Sequence, residues 1–181
     1  MEGSVEGKLA WRKLSASDIP SLVRVADCVH PDLPESEEVF AERFRLFPEG
    51  CLALTSEGSN ANALFGYAIS HPIRKRQPPA LNSLLKEIAP DADQYYIHDL
   101  AILPELRGQG LAQDCISRLL LVAQPFQTMS LISVYGTGQF WGKYGFAPAE
   151  VDKGLRKKLM GYGDDAEYLE RENKEYEPRT G

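Results

Sequence analysis

Residues 95–112 read YYIHDLAILPELRGQGLA, and this stretch indicates the fold. Tyr95–Ile102 has the composition of a strand, and the glycine-bearing run Arg107–Ala112 opens a helix that continues to about Ala123. A strand that leads through such a turn into a helix can hold a diphosphate. The glycines let backbone N–H groups approach the oxygens, and the helix N-terminus adds roughly half a positive charge. Arg107 supplies a fixed cation at the start of the loop.

Two other interpretations of this loop are a dinucleotide-binding Rossmann turn and a tight turn that binds no ligand. A dinucleotide-binding Rossmann turn requires a third glycine or alanine after two intervening residues, but Gln113 stands there. It also requires a second βαβ half, which the residues after Ala112 do not supply. The Rossmann interpretation therefore fails, while a tight turn that binds nothing remains the weaker alternative.

The composition is that of one globular domain. The chain has 181 residues, 43% of them hydrophobic and 25% charged, which is ordinary for a domain of this size. The net charge of −6 argues against binding to a phosphate backbone. No apolar run approaches the roughly 18 residues of a membrane span. The first residues, Met1–Lys8, are acidic and unlike a targeting peptide. We expect a cytoplasmic protein without nucleic-acid or membrane partners; its oligomeric state stays open.

The cysteines are Cys28, Cys51 and Cys115, an odd number at wide spacing. They form neither a zinc pattern nor a disulfide framework, which favours a reducing compartment and no metal site.

The other elements alternate between strands and helices. Expected strands are Leu9–Leu14, Cys51–Thr55, Leu64–Ser70, Ser130–Tyr135 and, late in the chain, Ala166–Leu169. Helices are expected after an N-cap at Ser17, from about Ser36 to Arg45, and from Gln139 to Tyr144. A turn is expected at Glu57–Asn60, an irregular excursion with a short helix near Leu84 at His71–Ala92, and disorder at Glu172–Gly181. We expect a single domain over residues 1–181, with flexible tails at about 1–7 and 172–181.

Two motifs carry a resemblance to a known family. Arg107-x-x-Gly110-x-Ala112 after a Leu-Ala-Ile strand resembles the acetyl-CoA loop of GNAT acetyltransferases, and Gln139–Phe146 resembles their Phe-Tyr-x-x-x-Gly-Phe segment. The chain further resembles the arylalkylamine (serotonin) N-acetyltransferase group and, within it, the fungal branch. This closer similarity runs from Lys13-Leu14 and Asp18-Ile19-Pro20 through Leu33-Pro34 and Leu46-Phe47-Pro48-Glu49 to Phe146.

The resemblance implies an α/β GNAT fold: a mixed, mostly antiparallel sheet, flanked by helices, whose fourth and fifth strands splay to admit acetyl-CoA. Those strands would be Tyr95–Ile102 and Ser130–Tyr135. The resemblance assigns to acetyl-CoA the backbone of the strand end, the N–H groups of the loop, and an indole ring. In residues, this set is Leu100, Ala101, Ile102, Arg107, Gly108, Gln109, Gly110, Leu111, Ala112 and Trp141.

Acetylation of an amine benefits from a base. An alkyl ammonium has a pKa of about 10.4, so only about one molecule in several thousand is neutral at pH 7. Histidine is suited to remove this proton. By period-2 geometry, His98 shares one strand face with Tyr96 and Leu100. The arylalkylamine enzymes carry a histidine pair where Tyr96 and His98 stand, so His98 is the predicted base, acting through water; a structural histidine is the alternative.

The general acid is less determined. The family supplies a tyrosine near the sulfur, but this chain has Phe140-Trp141 there, and an indole N–H is no acid at these pH values. Tyr135 could replace the hydroxyl. Alternatively, the thiolate leaves unassisted, because thiol pKa values lie near 8.5, or the protein does not catalyse. Tyr144 and Tyr96 are weaker candidates for the hydroxyl.

The resemblance directs the acceptor to the loop between the first two helices. Leu33 and Pro34 would form a wall against an aromatic ring, with Tyr96 nearby, and the flanking Asp32 and Glu35 could hold an ammonium. His30 or His71 could also line this pocket. The expected function is N-acetylation of a small primary amine, an arylalkylamine or a polyamine. The alternatives are acetylation of a protein N-terminus or lysine, and a non-catalytic acetyl-CoA-binding module.

Overall fold

The computed structural model describes residues 7–58, 63–174 and 176–178. In these residues seven strands form one sheet in the order β1-β2-β3-β4-β5-β7-β6. The strands are Leu9–Lys13 (β1), Cys51–Ser56 (β2), Gly66–Ile73 (β3), Gln94–Ile102 (β4), Thr128–Ser133 (β5), Ala147–Pro148 (β6) and Glu167–Glu172 (β7). The helices are Ile19–Val29 (α1), Glu37–Leu46 (α2), Leu111–Val122 (α3), Gly138–Gly142 (α4) and Lys153–Tyr162 (α5). The predicted turn at Glu57–Asn60 falls partly outside the described residues.

The sheet opens between β4 and β5. These two strands run parallel, whereas the other neighbouring strands run antiparallel. Their pairing is confined to Tyr95–Ile97 of β4 and Met129–Leu131 of β5. Both strands continue beyond the last pair, to Ile102 and Ser133, so their ends diverge. The predicted splay is confirmed.

Helices pack on both faces of the sheet, as predicted. One face carries α3, whose Cys115, Ile116 and Leu119 are buried against Ile97 and its neighbours. The other face carries α1 and α2, which bury Leu22 and Phe40 against β2 and β3. Apolar side chains at helical spacing therefore determine where each helix lies.

A β-bulge at His98 changes the alternation of β4. Ile69 of β3 pairs with Asp99, and the next residue, Ser70, pairs with Ile97, so His98 has no partner across the ladder. A bulged residue shifts every side chain beyond it to the opposite face. Asp99 consequently contacts the α1 face, and Leu100 packs with the α3 core. The prediction that Leu100 shares the face of His98 is therefore wrong.

The first helix begins with a capping arrangement different from the predicted one. Ser15 and Asp18 form a capping box around a short 3₁₀ turn, and α1 follows at Ile19, so Ser17 is not the N-cap. Asp18 is fully buried and accepts two hydrogen bonds from Arg12, at 2.7 and 2.8 Å. The buried carboxylate is thus paired with a guanidinium, as burial of a charge requires.

The later part of the chain is more ordered than predicted. Lys153–Tyr162 forms α5, which we did not expect; Asp152 caps it by accepting from Leu155 N at 2.7 Å. No helix forms near Leu84. Glu172 ends β7, and Asn173 is buried and donates to two backbone carbonyls. The predicted disorder is therefore wrong for Glu172 and Asn173. Residues 175 and 179–181 lie outside the described part. Among the described helices, none has the length and apolar character to cross a bilayer.

Candidate functional site

A cavity of about 920 Å³ occupies the gap between the diverging ends of β4 and β5. Its walls come from the loop after α1, the second half of β4, the glycine loop with the first turn of α3, the segment after β5, and α4. This volume lies in the range of small-molecule sites, about 300–1,000 Å³. The splayed strands are therefore the structural origin of the site.

The glycine loop presents free backbone donors to this cavity. Gly108 and Gly110 have φ angles of 80° and 77°, and a Cβ at either would meet no atom within 4 Å. The first backbone hydrogen bond of the helix runs from Asp114 N to Gly110 O. Within the described part of the chain, the N–H groups of residues 108–113 consequently have no protein acceptor. Five of these residues line the cavity, and N–H groups at a helix N-terminus form a cradle that suits a diphosphate; the five are Gly108, Gly110, Leu111, Ala112 and Gln113.

Two cations add to this cradle. Arg107 and Lys143 both line the cavity, from the loop and from the end of α4 respectively. The Arg107 Nε–H donates to the carbonyl of Ile102 at 3.3 Å, which holds the side chain against the end of β4. The anion-binding half of the cavity is thereby defined by backbone dipoles and two positive side chains.

His98 is paired with Glu35 at the opposite side of the cavity. His98 Nε2–H donates to Glu35 Oε1 at 2.6 Å, and the two side chains are only 1% and 6% exposed. Burial opposes ionisation of Glu35, but the His98 contact and the N–H of Asn82 outweigh it and lower the pKa of Glu35. Because Nε2 carries the hydrogen toward the carboxylate, Nδ1 of a neutral His98 keeps its lone pair. That nitrogen has no partner among the described residues.

A second histidine–carboxylate pair lies beside the first. His30 Nε2–H donates to Asp99 Oδ1 at 2.9 Å, and Tyr67 donates its hydroxyl to Asp99 Oδ2. Burial would lower the pKa of His30, but the charge and the hydrogen bond of Asp99 outweigh burial and raise it. At 15% exposure, the His30 side chain is more accessible than that of His98. No group of three or more His, Cys, Asp and Glu side chains could hold a metal ion in the described residues.

Tyr135 lines the cavity on the side of His30. Its ring stacks on His30, with centroids 5.8 Å apart and planes 8° apart. Tyr135 lies two residues beyond β5 rather than at its end, and its φ of 55° is in the left-handed region, which is uncommon for an aromatic residue. Burial and the charge of Asp32 raise its pKa. The α1–α2 loop and the segment after β5 thus contact each other at the wall of the cavity.

Tyr96 and His71 lie beneath His98. Both residues are fully buried, and the His71 ring centroid is 5.6 Å from that of Tyr96 and 6.2 Å from that of His98. His71 Nδ1–H donates to the carbonyl of Pro72 at 3.1 Å, and burial lowers its pKa to about 3. Tyr96 is not part of the cavity wall, so its predicted contact with the acceptor is replaced by packing against His98.

A family model described as the Acetyltransferase (GNAT) family matches residues 16–146. The chain belongs to this family. The seven-stranded sheet with its parallel β4–β5 pair is accordingly the predicted α/β GNAT fold. The protein is an acetyl-CoA-dependent GNAT acetyltransferase, and the glycine loop fits the diphosphate of that co-substrate.

Solved structures show the same fold. The loading GNATL domain of CurA from Lyngbya majuscula has a TM-score of 0.71 at 14% identity, covering 92% of this chain and 98% of that one. The NatC complex bound to Gag peptide and CoA has a TM-score of 0.66 at 18% identity, covering 91% of this chain and 98% of that one. Ard1 from Thermoplasma volcanium has a TM-score of 0.65 at 16% identity, covering 91% of this chain and 97% of that one. At these identities the likeness concerns the fold alone. A search of curated protein sequences returned no significant match.

The cavity brings together most of the predicted GNAT site residues. Those on its walls are Leu33, His98, Leu100, Ile102, Arg107, Gly108, Gly110, Leu111, Ala112, Tyr135 and Trp141. In the described part of the chain, Pro34, Ala101 and Gln109 are not on the walls, and Ala101 is buried against the α1 face.

The sequence did not predict the partners of the two histidines. We weighed Glu35 as a ligand for an ammonium, but its carboxylate is engaged by His98 and Asn82. Asp99 was not among the predicted site residues, and strict alternation along the strand would place its side chain on the face opposite to His98. His30 was a weak candidate for the acceptor pocket, and it lines the cavity.

Proposed function

We propose that this GNAT enzyme transfers the acetyl group of acetyl-CoA to a small primary amine, an arylalkylamine or a polyamine. The observation that carries the proposal is the stack of Tyr135 on His30, because it joins two walls of the cavity, the loop after α1 and the segment after β5. Walls joined in this way suit a small acceptor better than an extended peptide. Leu33, Leu81 and Tyr162 add apolar and aromatic wall to this half of the cavity, as an arylalkyl group requires.

His98 is the proposed base. Its Nε2–H is committed to Glu35, so the lone pair of Nδ1 is the site that accepts the proton from the acceptor ammonium or amine. The side chain is 1% exposed, which favours proton transfer through a water rather than by direct contact. The ionised Glu35 stabilises the imidazolium that forms, as a carboxylate does for a histidine in other acid–base sites.

The bond changes then require little else from the chain. The amine nitrogen forms a bond to the acetyl carbon, the carbon–sulfur bond breaks, and coenzyme A leaves as a thiol once it receives a proton. The backbone N–H of Leu100, at the splay, is proposed to stabilise the carbonyl oxygen as charge develops. Tyr135 is proposed to supply the proton to sulfur.

The remaining assignments concern acetyl-CoA. The backbone of Ala101 and Ile102 is proposed to align the pantetheine arm along the end of β4. Residues 107–112, Gln109 included, are proposed to hold the diphosphate through their N–H groups. Trp141 is mostly buried at the cavity wall, where its ring would cover the arm.

A peptide acceptor is the second candidate. The fold of the chain is similar to that of the NatC complex, which binds a Gag peptide and CoA. If the Tyr135 side chain turns away from His30, the loop after α1 and the segment after β5 lose this contact, and an extended peptide gains access between them.

An assay of thiol release from acetyl-CoA tests the proposal. The acceptor panel is tryptamine, spermidine, lysine, a histone peptide and a peptide with a free N-terminus but no lysine. We expect turnover with tryptamine or spermidine at least about tenfold faster in kcat/KM than with either peptide. Turnover with the peptides alone contradicts the small-amine proposal. Binding of CoA in a calorimeter without turnover of any acceptor would leave only a CoA-binding module.

A further inference from the structure

The segment between β3 and β4, residues 74–93, has no regular helix or strand but is firmly anchored; we call it the β3–β4 arm. Glu42 of α2 accepts the N–H groups of Leu85 and Lys86 at 2.6 and 2.9 Å. Arg43 Nη2 donates to the carbonyl of Ser83 at 2.9 Å. From α5, Tyr162 donates to the carbonyl of Pro79 at 3.0 Å. A loop with so many anchors has a defined position relative to the cavity.

Asn82 is the point at which the arm reaches the candidate site. Its N–H donates to Glu35 Oε2 at 3.0 Å, and its Oδ1 accepts from the N–H of Ser36 at 2.8 Å. Ser36 in turn caps α2, since its Oγ accepts from Val39 N. The φ of Asn82 is 56°, a left-handed conformation that asparagine tolerates better than most residues. One residue therefore holds both the carboxylate and the backbone of the loop that carries it.

Glu35 is consequently restrained on both oxygens. Oε1 accepts from His98 at 2.6 Å, and Oε2 accepts from Asn82. Because the His98 and Glu35 side chains are almost fully buried, water competes little for the bond between them. Rotation of the carboxylate would break one bond or the other, so the orientation of the His98 ring depends on the arm.

We propose that Asn82 is a positioning residue that acts through Glu35 to orient His98. The inference rests on the proposed role of His98 as the base. The chain of contacts runs from Asn82 N–H to the carboxylate and from the carboxylate to Nε2–H, and it keeps the lone pair of Nδ1 available for the acceptor proton. Outer contacts of this kind control the orientation of a catalytic group, and a small misplacement lowers the rate substantially.

Two variants of Asn82 separate the backbone contact from the side chain. Asn82→Val disfavours the left-handed conformation and should withdraw the N–H from Glu35, whereas Asn82→Gly keeps that conformation and loses only Oδ1. We expect Asn82→Val to lower kcat by about tenfold or more, with KM for acetyl-CoA unchanged. Asn82→Gly should recover most of that loss.

Lys86→Val is the matched control. Lys86 also has a left-handed φ, 70°, in the same arm, but its N–H donates to Glu42 rather than to Glu35. The control should lower the melting temperature about as much as Asn82→Val and keep kcat within about twofold of wild type.

A double-mutant cycle with Glu35→Gln gives the decisive readout. If Asn82 acts through Glu35, Asn82→Val should cause no further loss of kcat in the Glu35→Gln background. Equal losses in Asn82→Val and Lys86→Val that persist in that background would overturn the proposal, because general damage to the arm would then explain both. The variant His98→Ala separates a failure of the proposed base from a failure of the proposed role of Asn82. Full activity in that variant refutes the base itself, whereas a large loss there with an additive cycle refutes only the role of Asn82.

Discussion

Asp99 follows His98 directly in the chain, yet both side chains lie on the same side of β4, because the bulge at His98 interrupts the alternation. Each of the two residues joins a different imidazole–carboxylate pair. His98 binds Glu35 from the loop before α2, and Asp99 binds His30 from the loop after α1. A single unpaired residue in a strand thus brings two histidine–carboxylate pairs to one cavity.

Removal of each histidine separates the two pairs. We expect His98→Ala to lower kcat/KM by about 10²–10⁴-fold, the usual contribution of a general base. His30→Ala should lower it by less than about tenfold, because His30 then contributes packing and not proton transfer. The measurement is kcat/KM for the best amine between pH 5.5 and 9, with CoA affinity determined in parallel. The reverse ranking would transfer the role of base to His30.

Gly110→Asp tests the diphosphate cradle. The carboxylate would face the bound phosphates, and a like charge at about 4 Å costs roughly 1–4 kcal/mol, so CoA should bind about tenfold more weakly or worse. Gly58→Asp is the matched control, since Gly58 has a φ of 87° and open space around its Cβ but lies in the turn after β2. Titration calorimetry with CoA provides the comparison. Unchanged affinity in Gly110→Asp would show that the diphosphate binds elsewhere.

Tyr135→Phe removes the hydroxyl and keeps the ring on His30. If Tyr135 donates the proton to sulfur, kcat should fall by about tenfold or more with CoA binding intact. The wild-type rate should also decline only above pH 10, because burial and Asp32 raise the pKa of Tyr135 above its ordinary 10.0 and a tyrosine acts as an acid below its pKa. The variant should lack this decline.

Trp141→Tyr completes the comparison for the acid. This substitution introduces a hydroxyl at the position where the resemblance of Gln139–Phe146 to the GNAT segment implies a tyrosine. A silent Tyr135→Phe with a silent Trp141→Tyr would mean that the thiolate leaves unassisted, and a gain of rate in Trp141→Tyr would mean that the hydroxyl is useful at that position. Steady-state kcat for both variants at pH 7 and pH 9 distinguishes these outcomes.

His71 makes the fold sensitive to acid. Its pKa is about 3 in the folded protein, where it is buried, and near 6.5 in the unfolded chain. Between these values the unfolded state binds more protons, so the free energy of unfolding falls as the pH falls. One such group contributes a loss of roughly 2 kcal/mol between pH 6.0 and 4.5. Urea unfolding of His71→Phe should show a correspondingly smaller fall over this range.

The contribution of His30 to the stability of the fold should depend on pH in the opposite sense. Asp99 raises its pKa above 6.5, so the pairing stabilises the fold fully below that pH and loses this contribution as the pH rises through the raised value. His30→Phe should therefore destabilise the protein more at pH 5.5 than at pH 9. A pH-independent difference between this variant and wild type would show that the imidazole is not charged in the pair.

Much of the fold could be predicted because its signals are local. The strand Tyr95–Ile102, the glycine loop and α3 follow from composition and periodicity within a short window. Leu155, Leu159 and Tyr162 have helical spacing behind the N-cap Asp152, but α5 was not predicted, because charged residues and glycines surround them. A helix can therefore be predicted from the sequence where its local pattern is clear, as in α3.

The pairs at the candidate site could not be predicted in this way. No glycine or proline marks the bulge at His98, so regular alternation was the natural expectation, and it placed Leu100 on the wrong face. Glu35 and His98 are 63 residues apart, and their contact depends on how the α1–α2 loop meets β4. Such contacts arise from tertiary packing, for which a single sequence carries no periodic signal.

Trp11, in the outermost strand of the sheet, donates its indole N–H to the carbonyl of Leu111 at 2.8 Å. The edge of the sheet is thereby connected to the first turn of α3, whose free N–H groups face the cavity. A ligand that orders this turn stabilises whatever is bonded to it, and local opening of β1 then becomes rarer. We expect saturating CoA to slow hydrogen–deuterium exchange at the amides of β1, far from any phosphate, and Trp11→Phe to abolish that protection while the exchange of α3 still responds.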